Sequence, residues 1–423
     1  MLDNILFQIK KFIPRNIFDF FSPAYHWTLS LFASIVYRFP SKHIKIIAIT
    51  GTKGKSSTTE IINAIFEKAG YKTALSNTIR FKIGEESSKN LYKMSTPGRF
   101  FLQRFIRKAV NAKCDYCILE ISSQASMLFR HKFIHLDTFI FTNLSREHIE
   151  AHGSYENYRE AKVDIARNLN TSCKDVKTVI VNGDDKEHVH FTEVNANRKI
   201  IYTLQSLKPN SFANGIDFTY KGTNIHSHLL GEFNLSNILA AITCADCENI
   251  SKENIKEAIE QFKNIPGRLE TINAKEFDII VDYAHTVESL QMVYEIYKHA
   301  PIVAVLGGTG GGRDIWKRTE MGKIADTYCK EIILTNEDPY DEDPQEIFSD
   351  IIKGIKNHNP IIILDRRDAI RKAIEIASPG STIIITGKGT DPYIMGPNNS
   401  KIPWSDSKVV KEELEKFYQA SNK

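Results

Sequence analysis

Short, continuously apolar runs alternate along the chain with stretches whose apolar residues recur every three or four positions. The run IKIIAI, ending at Ile49, suits a strand buried on both faces of a parallel sheet. After a short loop, SSTTEIINAIFEKAG carries helical spacing, with Gly70 as its stop. Further strands are expected in YCILEI (116–121), DTFIFTN (137–143) and TVIVNGDD (178–185). Each ends in polar residues, where a parallel sheet presents its ligand-binding edge. From about 195 to 231 the pattern changes to short, turn-rich strands, and GEFNLSNILAAITCADC then predicts a buried helix. Pro266 and Gly267 mark a hinge. Beyond it, FDIIVDYAH, PIVAVLGG, EIILTNED, PIIILD and STIIITGKG alternate with helical patterns, as in a doubly wound α/β domain. No internal repeat or low-complexity tract is evident.

Candidate chemistry begins between the first strand and helix, in ITGTKGKSST (49–58). Gly51 and Gly54 let the backbone approach a phosphate, and the following helix places its positive end at the same spot. Lys55 is placed to reach the β- and γ-phosphates and Ser56 to hold Mg²⁺; Thr52, Lys53 and Ser57 complete the cradle. The spacing G-x-x-G-K-S is shorter than that of the general phosphate loop. A chain of 423 residues is too long for one ordinary core. The fold class expected is therefore α/β, in three parts. A short apolar helical N-terminal segment (1–44) precedes a central P-loop parallel-sheet ATPase domain (45–265) and a C-terminal Rossmann-like α/β domain (266–423).

The form Gly-Thr-x-Gly-Lys-[Ser/Thr]-[Ser/Thr] after a strand resembles the ATP-dependent Mur ligase family, which joins an amino acid to a carboxylate. LEISSQ looks like the family's Glu-x-Ser-Ser motif, whose glutamate, here Glu120, holds Mg²⁺. FTNLSREHIEAHGSYENYREAK resembles the Asn-x-x-x-x-His…Ala-Lys stretch. That match implies His148 as a second metal-site residue and Lys162 as the lysine that is carbamylated in relatives. By the same resemblance Asn234 and Asn237 of FNLSN lie near adenine. Arg268 of PGRLE, with Asp282, Tyr283 and His285 of VDYAH, matches positions near ribose and the phosphate path. GGTGGGRDIWKR invites a dinucleotide reading, but its glycines are out of register with G-x-G-x-x-G. Within the family match it is the loop carrying Arg313, Lys317 and Arg318.

The resemblance runs from about residue 45 to the end and is strongest to the MurE branch, which adds the third residue of the peptidoglycan stem peptide. STPG (Ser95, Thr96, Pro97, Gly98) looks like that branch's substrate loop. NEDPYDEDP looks like its Asp-Asn-Pro-Arg loop, and GKGTDPY like its Gly-Lys-Gly-His-Glu-x-Tyr stretch. Three departures stand out. Asp338 and Tyr340 replace elements of Asn-Pro-Arg, removing a bidentate carboxylate partner, and Asp391 replaces glutamate. With Asp341, Glu342 and Asp343 nearby, Asp338 suits an amino acid with a cationic side chain or terminus; a solvated acidic loop is the other reading. Gln124 stands where the family has histidine. The relatives carry a full N-terminal domain for the uridine-diphosphate end of the acceptor, whereas 44 residues precede the first strand here. The expectation is a truncated N-terminal domain, with the nucleotide-sugar held differently or the acceptor linked to a lipid.

Charge and composition narrow the partners. Net charge is +4 with no block of like charges, so small anions rather than nucleic acid are the expected ligands. Six cysteines without a signal-peptide pattern point to a reducing cytoplasm. The pairs Cys114/Cys117 and Cys244/Cys247 raise a zinc or redox reading, but both sit in apolar patterns where cysteine acts as a small hydrophobe. The segment from Ile17 to Phe39 is aromatic and apolar, interrupted by Asp19, Pro23 and His26, and shorter in uninterrupted length than the roughly 20 residues of a span. Packing on the next domain is the plain reading and peripheral membrane contact the sharper one, with Lys10, Lys11 and Arg15 nearby. The function expected is ATP-dependent amide formation through an acyl phosphate, adding an amino acid to a muramoyl-peptide precursor, with ATP and Mg²⁺ as cofactors. A folylpolyglutamate-synthase-like ligase and a non-catalytic nucleotide-binding regulator are the alternatives.

Overall fold

The computed structural model describes residues 15–147, 149–207, 209–212, 215–312 and 314–421. The chain divides into two compact units, one of residues 1–206 and 236–259, the other of 207–235 and 260–423.

In the first unit an eight-stranded sheet has β1 (Lys45–Thr50) near its centre. Its other strands are β2 (Thr73–Ser76), β3 (Arg80–Ile83), β4 (Glu86–Lys89), β5 (Tyr116–Glu120), β6 (Thr138–Phe141), β7 (Thr178–Asn182) and β8 (Arg198–Tyr202), in the order β4-β3-β2-β5-β1-β6-β7-β8. β1 pairs in parallel with β5 and β6; the β2-β3-β4 edge is antiparallel. Ile46, Ala48, Cys117, Leu119, Phe139, Phe141, Val179 and Val181 alternate onto one face and build its core, so Cys117 is packing material. After β1 the chain crosses to β2 on one side, and β6 lies on the other. Such a switch of direction opens a crevice at the carboxyl ends of the strands.

Five helices frame this region. They are α1 (Arg15–Val36), α2 (Lys55–Lys68), α3 (Arg99–Asn111), α4 (Tyr155–Ala166) and α5 (Glu232–Cys247). α1 continues through Pro23 and buries Ser30, Ala33 and Ser34. Ser30 Oγ donates to the Phe129 carbonyl at 2.8 Å, and Arg107 Nε donates to the Tyr37 carbonyl just beyond the helix at 3.0 Å. The packing of the N-terminal segment onto neighbouring structure is thus observed for its described residues, among which no helix is long and apolar enough to cross a membrane.

The second unit begins with the small antiparallel sheet β9 (Asn210–Phe212), β10 (Gly215–Tyr220) and β11 (Thr223–Ser227). Its main sheet contains β12 (Glu270–Asn273), β13 (Asp278–Val281), β14 (Ile302–Leu306), β15 (Glu331–Leu334), β16 (Ile361–Ile362) and β17 (Thr382–Ile385), ordered β12-β13-β17-β14-β15-β16. All pairs but β12-β13 are parallel. Both faces are covered. Ile280, Ala304, Leu334 and Ile384 meet α6 (Val287–Tyr297), α7 (Trp316–Tyr328) and α8 (Pro344–Ile352). Ile279, Val303, Ile333 and Ile383 meet α9 (Arg366–Ile376) and α10 (Asp406–Ser421). That alternation accounts for the unbroken apolar runs.

The last two helices are tied by a fully buried ion pair. Arg366 Nε and Nη2 donate to the two Asp406 oxygens at 2.8 and 2.9 Å, and Nη2 also donates to the Thr386 carbonyl. Replacing Asp406 by Asn leaves a guanidinium without its counter-charge in a water-free site. We expect a loss of about 3 kcal/mol for Asp406→Asn, read as a lowered urea midpoint in circular dichroism.

Candidate active site

The loop after β1 is pinned before any ligand is considered. Gly54 adopts φ +80, and a Cβ there would stand 2.1 Å from Asn237 Oδ1. At Gly51 a Cβ would stand 1.9 Å from Thr142 Oγ1. Only glycine fits at either point. Asn143, at the end of β6, accepts from the Thr52 amide through its carbonyl and from the Lys53 amide through Oδ1, at 2.8 and 2.9 Å. Thr52 Oγ1 is 3.0 Å from the Tyr158 hydroxyl. Lys55 folds back to donate to the Gly51 and Thr52 carbonyls, both at 2.9 Å. Ser56 and Ser57 are buried in the first turn of α2, where the amides and the positive helix end favour an anion.

Glu120 lies on the other side of the loop's first helical turn. It ends β5 beside Ile49, and its buried carboxylate accepts from Ser56 Oγ at 2.8 Å and from the Thr78 amide at 2.9 Å. Thr78 Oγ1 adds contacts of 3.0 and 3.1 Å to its two oxygens and lies 2.8 Å from Ser95 Oγ. Thr96 Oγ1 donates to the Glu120 carbonyl at 3.0 Å, and Pro97 is buried beside it. The phosphate loop, the carboxylate and the STPG loop are therefore one connected network.

Lys162, on α4, is almost fully buried and donates to the Gly51 carbonyl at 2.6 Å. Burial pushes its ammonium well below the ordinary lysine range, and Lys55 adds to the fall against the pull of Glu147 and Glu120. His148 lies outside the described residues. His152, four residues on, is buried with Nε2 3.1 Å from Ser123 Oγ. Asn237 faces the loop, 3.4 Å from Thr58 Oγ1, while Asn234, one turn earlier on α5, donates to the Leu230 carbonyl at 2.8 Å.

The remaining candidates lie in the second unit. Arg268 stacks over the Tyr283 ring at 4.3 Å and donates to the Gly267 carbonyl. Asp282 accepts from the Leu269 and Ala284 amides, both at 2.7 Å; burial raises its carboxyl while Arg268 and these amides pull it back. His285 Nδ1 lies 2.8 Å from the Tyr283 carbonyl. Asp338 Oδ1 takes the Lys388 ammonium and the Met395 amide, each at 2.8 Å, and Asp391 is 3.5 Å from the same ammonium. Tyr340 sits at φ +54 with its amide on the Met395 carbonyl. Asp341 accepts from the Asn398 amide, Glu342 forms a fork with the buried Arg318, and Asp343 caps α8. Within the acidic stretch Asp338 is buried and Glu342 is half-buried on Arg318, while Asp341 and Asp343 are exposed and accept from backbone amides. Lys317 is buried, and Arg313 lies outside the described residues.

Comparison with known proteins agrees with this geometry. The Mur ligase middle domain matches residues 49–245, and the Mur ligase glutamate ligase domain matches residues 267–389. A UDP-N-acetylmuramoyl-L-alanyl-D-glutamate 2,6-diaminopimelate ligase of Clostridium botulinum is 35% identical over 405 residues, covering 92% of this chain and 82% of that one. The chain belongs to the Mur ligase family. A UDP-N-acetylmuramyl-tripeptide synthetase of Borreliella burgdorferi is 34% identical over 408 residues, covering 91% of this Mur ligase and 79% of the relative. The solved structure of a UDP-N-acetylmuramoyl-L-alanyl-D-glutamate 2,6-diaminopimelate ligase superposes with a TM-score of 0.61 at 28% identity, over 89% of this chain and 79% of that one. Mur ligases use ATP, which is the ligand the loop suits.

Some contributors to this Mur ligase's site had no signal in the sequence. Thr78 follows an antiparallel turn whose pairing with Glu120 exists only once β2 and β5 are neighbours. Arg130 Nη1 donates to the Thr96 carbonyl at 2.7 Å, and Arg99 Nη2 to the Leu128 carbonyl at 2.9 Å. Among the described residues neither guanidinium meets a carboxylate. Burial lowers both, and for Arg130 the nearby Arg99 lowers it further. Thr78→Val preserves shape and removes the hydroxyl that steadies Glu120. We expect ATP cleavage at limiting Mg²⁺ to fall about tenfold with unchanged melting temperature, measured as ADP release across a Mg²⁺ titration.

Proposed function

We propose that this Mur ligase adds an amino acid to the free carboxylate of a muramoyl peptide, cleaving ATP to ADP and phosphate. A carboxylate oxygen of the acceptor attacks the γ-phosphorus and ADP departs. The amine then attacks the acyl phosphate carbonyl, loses a proton, and expels phosphate. The observation that carries this reading is Glu120, whose carboxylate joins Ser56 of the phosphate loop to Thr78 and Ser95 beside the STPG loop. Acceptor and nucleotide ends of one reaction are expected on either side of that network.

The donor set fits Mg²⁺. Glu120 is buried and accepts hydrogen bonds from hydroxyl and amide donors, and a hard carboxylate oxygen set beside a serine hydroxyl suits that ion. Mg²⁺ when bound neutralises phosphate charge and polarises the transferred group. Ser56 and Glu120 would hold it, with His148 as a further candidate. Lys55 is poised to turn from the loop carbonyls to the β- and γ-phosphates, and Asn234 and Asn237 to meet the base. Carbamylation of Lys162 needs a neutral amine, which its burial favours, and would supply a second anionic oxygen pair there. The C-terminal residues Arg268, Asp282, His285, Arg313, Asp338, Tyr340 and Asp391 are assigned to ribose, phosphate path and incoming amino acid. Small-molecule substrates of this kind fit a cytoplasmic enzyme.

Two experiments test this. Incubation with ATP, Mg²⁺, a UDP-muramoyl dipeptide and a pool of amino acids should give a mass gain of one amino acid, which identifies the residue added. Elongation of a folate by glutamate, or nucleotide binding without any amide product, would overturn the assignment. Lys162→Ala should lower turnover at least about a hundredfold, with partial recovery on adding short carboxylates. Loss without any such recovery would remove the carbamate role and leave the ligase assignment standing.

A further inference from the structure

Helix α1 is packed the opposite way from an ordinary surface helix. Its inner face is small and polar, with Ser30, Ala33 and Ser34 buried. Its outer face carries Tyr25, Phe32, Ile35 and Val36, which recur at helical spacing and are each about half exposed, at 49–55%. Trp27 and Phe100, 44% and 38% exposed, flank them, with Trp27 set edge-on to Phe133 and Phe32 to Phe100. Leu91, Tyr92 and Met94 on the loop before α3, and Met127 at the end of the short helix Ser123–Met127, are exposed as well. Scattered exposed apolar residues are ordinary, whereas a continuous helical stripe of large ones marks an interaction surface.

The segments around this stripe are basic, although Asp164 pairs with Lys132 of one of them. The segments that meet there are 21–44, 87–114 and 121–136. They hold two, seven and two Lys or Arg residues respectively, and no Asp or Glu. The whole chain is nearly balanced, at 55 basic against 51 acidic residues, so this segregation is local. Arg99, at the first turn of α3, lies 2.8 Å from His26 Nδ1 and pairs with no carboxylate among the described residues. An apolar stripe beside a local excess of basic residues matches the interface of an anionic bilayer.

We infer that the outer face of α1, with Phe100 and the basic residues of α3, docks this chain onto an anionic lipid surface. The helix lies in the interface instead of crossing it, since it is not long and apolar enough to span. Docking there brings the STPG loop, which leads directly into α3, to the bilayer, where an acceptor on a lipid carrier would be presented. The surface stands independently of that acceptor.

The full chain should sediment with vesicles of phosphatidylcholine mixed with phosphatidylglycerol, and not with phosphatidylcholine alone. The double variant Phe32→Asp/Ile35→Asp should lower the bound fraction about tenfold while melting temperature and ATP cleavage stay unchanged. No binding to anionic vesicles, or equal binding by the variant, overturns the inference. So does light scattering that shows a dimer for the wild type, a monomer for the variant and vesicle binding for neither, because a second copy would then cover the face.

Discussion

Glu120 ends a central strand as a buried carboxylate hydrogen-bonded by hydroxyl and amide donors, within electrostatic reach of the buried Lys162, and the rest of the site is arranged about that charge. A buried anion is costly to maintain, so the donors that hold it are fixed by the fold. Its position follows from parallel register. Ile49 of β1 lies opposite Glu120, so the strand that launches the phosphate loop and the strand that presents the carboxylate end together. The neighbouring strand β6 ends in Asn143, which holds the loop amides. Three adjacent strand ends thus bring together the glycine loop, the buried carboxylate and the asparagine that braces the loop.

The second unit uses its charges differently. Arg366–Asp406, Arg318–Glu342 and Lys388–Asp338 are pairs in which at least one member is almost fully buried, and each links loops or helices that the apolar core leaves unspecified. Within the stretch from Asp338 to Asp343, Asp338 and Glu342 are engaged by buried cations, with Asp391 also near the Lys388 ammonium, while Asp341 and Asp343 stay exposed.

Much of this was legible along the chain. Each of the expected apolar runs forms a strand, because residues buried on both faces of a parallel sheet must be apolar without interruption. Lys55, Ser56, Glu120 and Lys162 were visible as motif residues at strand and helix ends, and they converge around Gly51 and the first turn of α2. The β3-β4 hairpin and β12 were not visible: their short, half-exposed strands carry too little periodicity to separate from loop. Thr78, Arg99 and Arg130 were equally silent, since a lone threonine or arginine has no pattern of its own.

The sequence by itself determined the fold class, the phosphate loop and the order of the strands along the chain, because these rest on local periodicity and on backbone positions that only glycine tolerates. Tertiary structure alone decided which face of α1 is buried, that Thr78 steadies Glu120, and that Asp338 and Glu342 of the acidic loop pair with Lys388 and Arg318. Those outcomes depend on contacts between residues far apart in the chain, whose charge and burial become defined only when the strands are side by side.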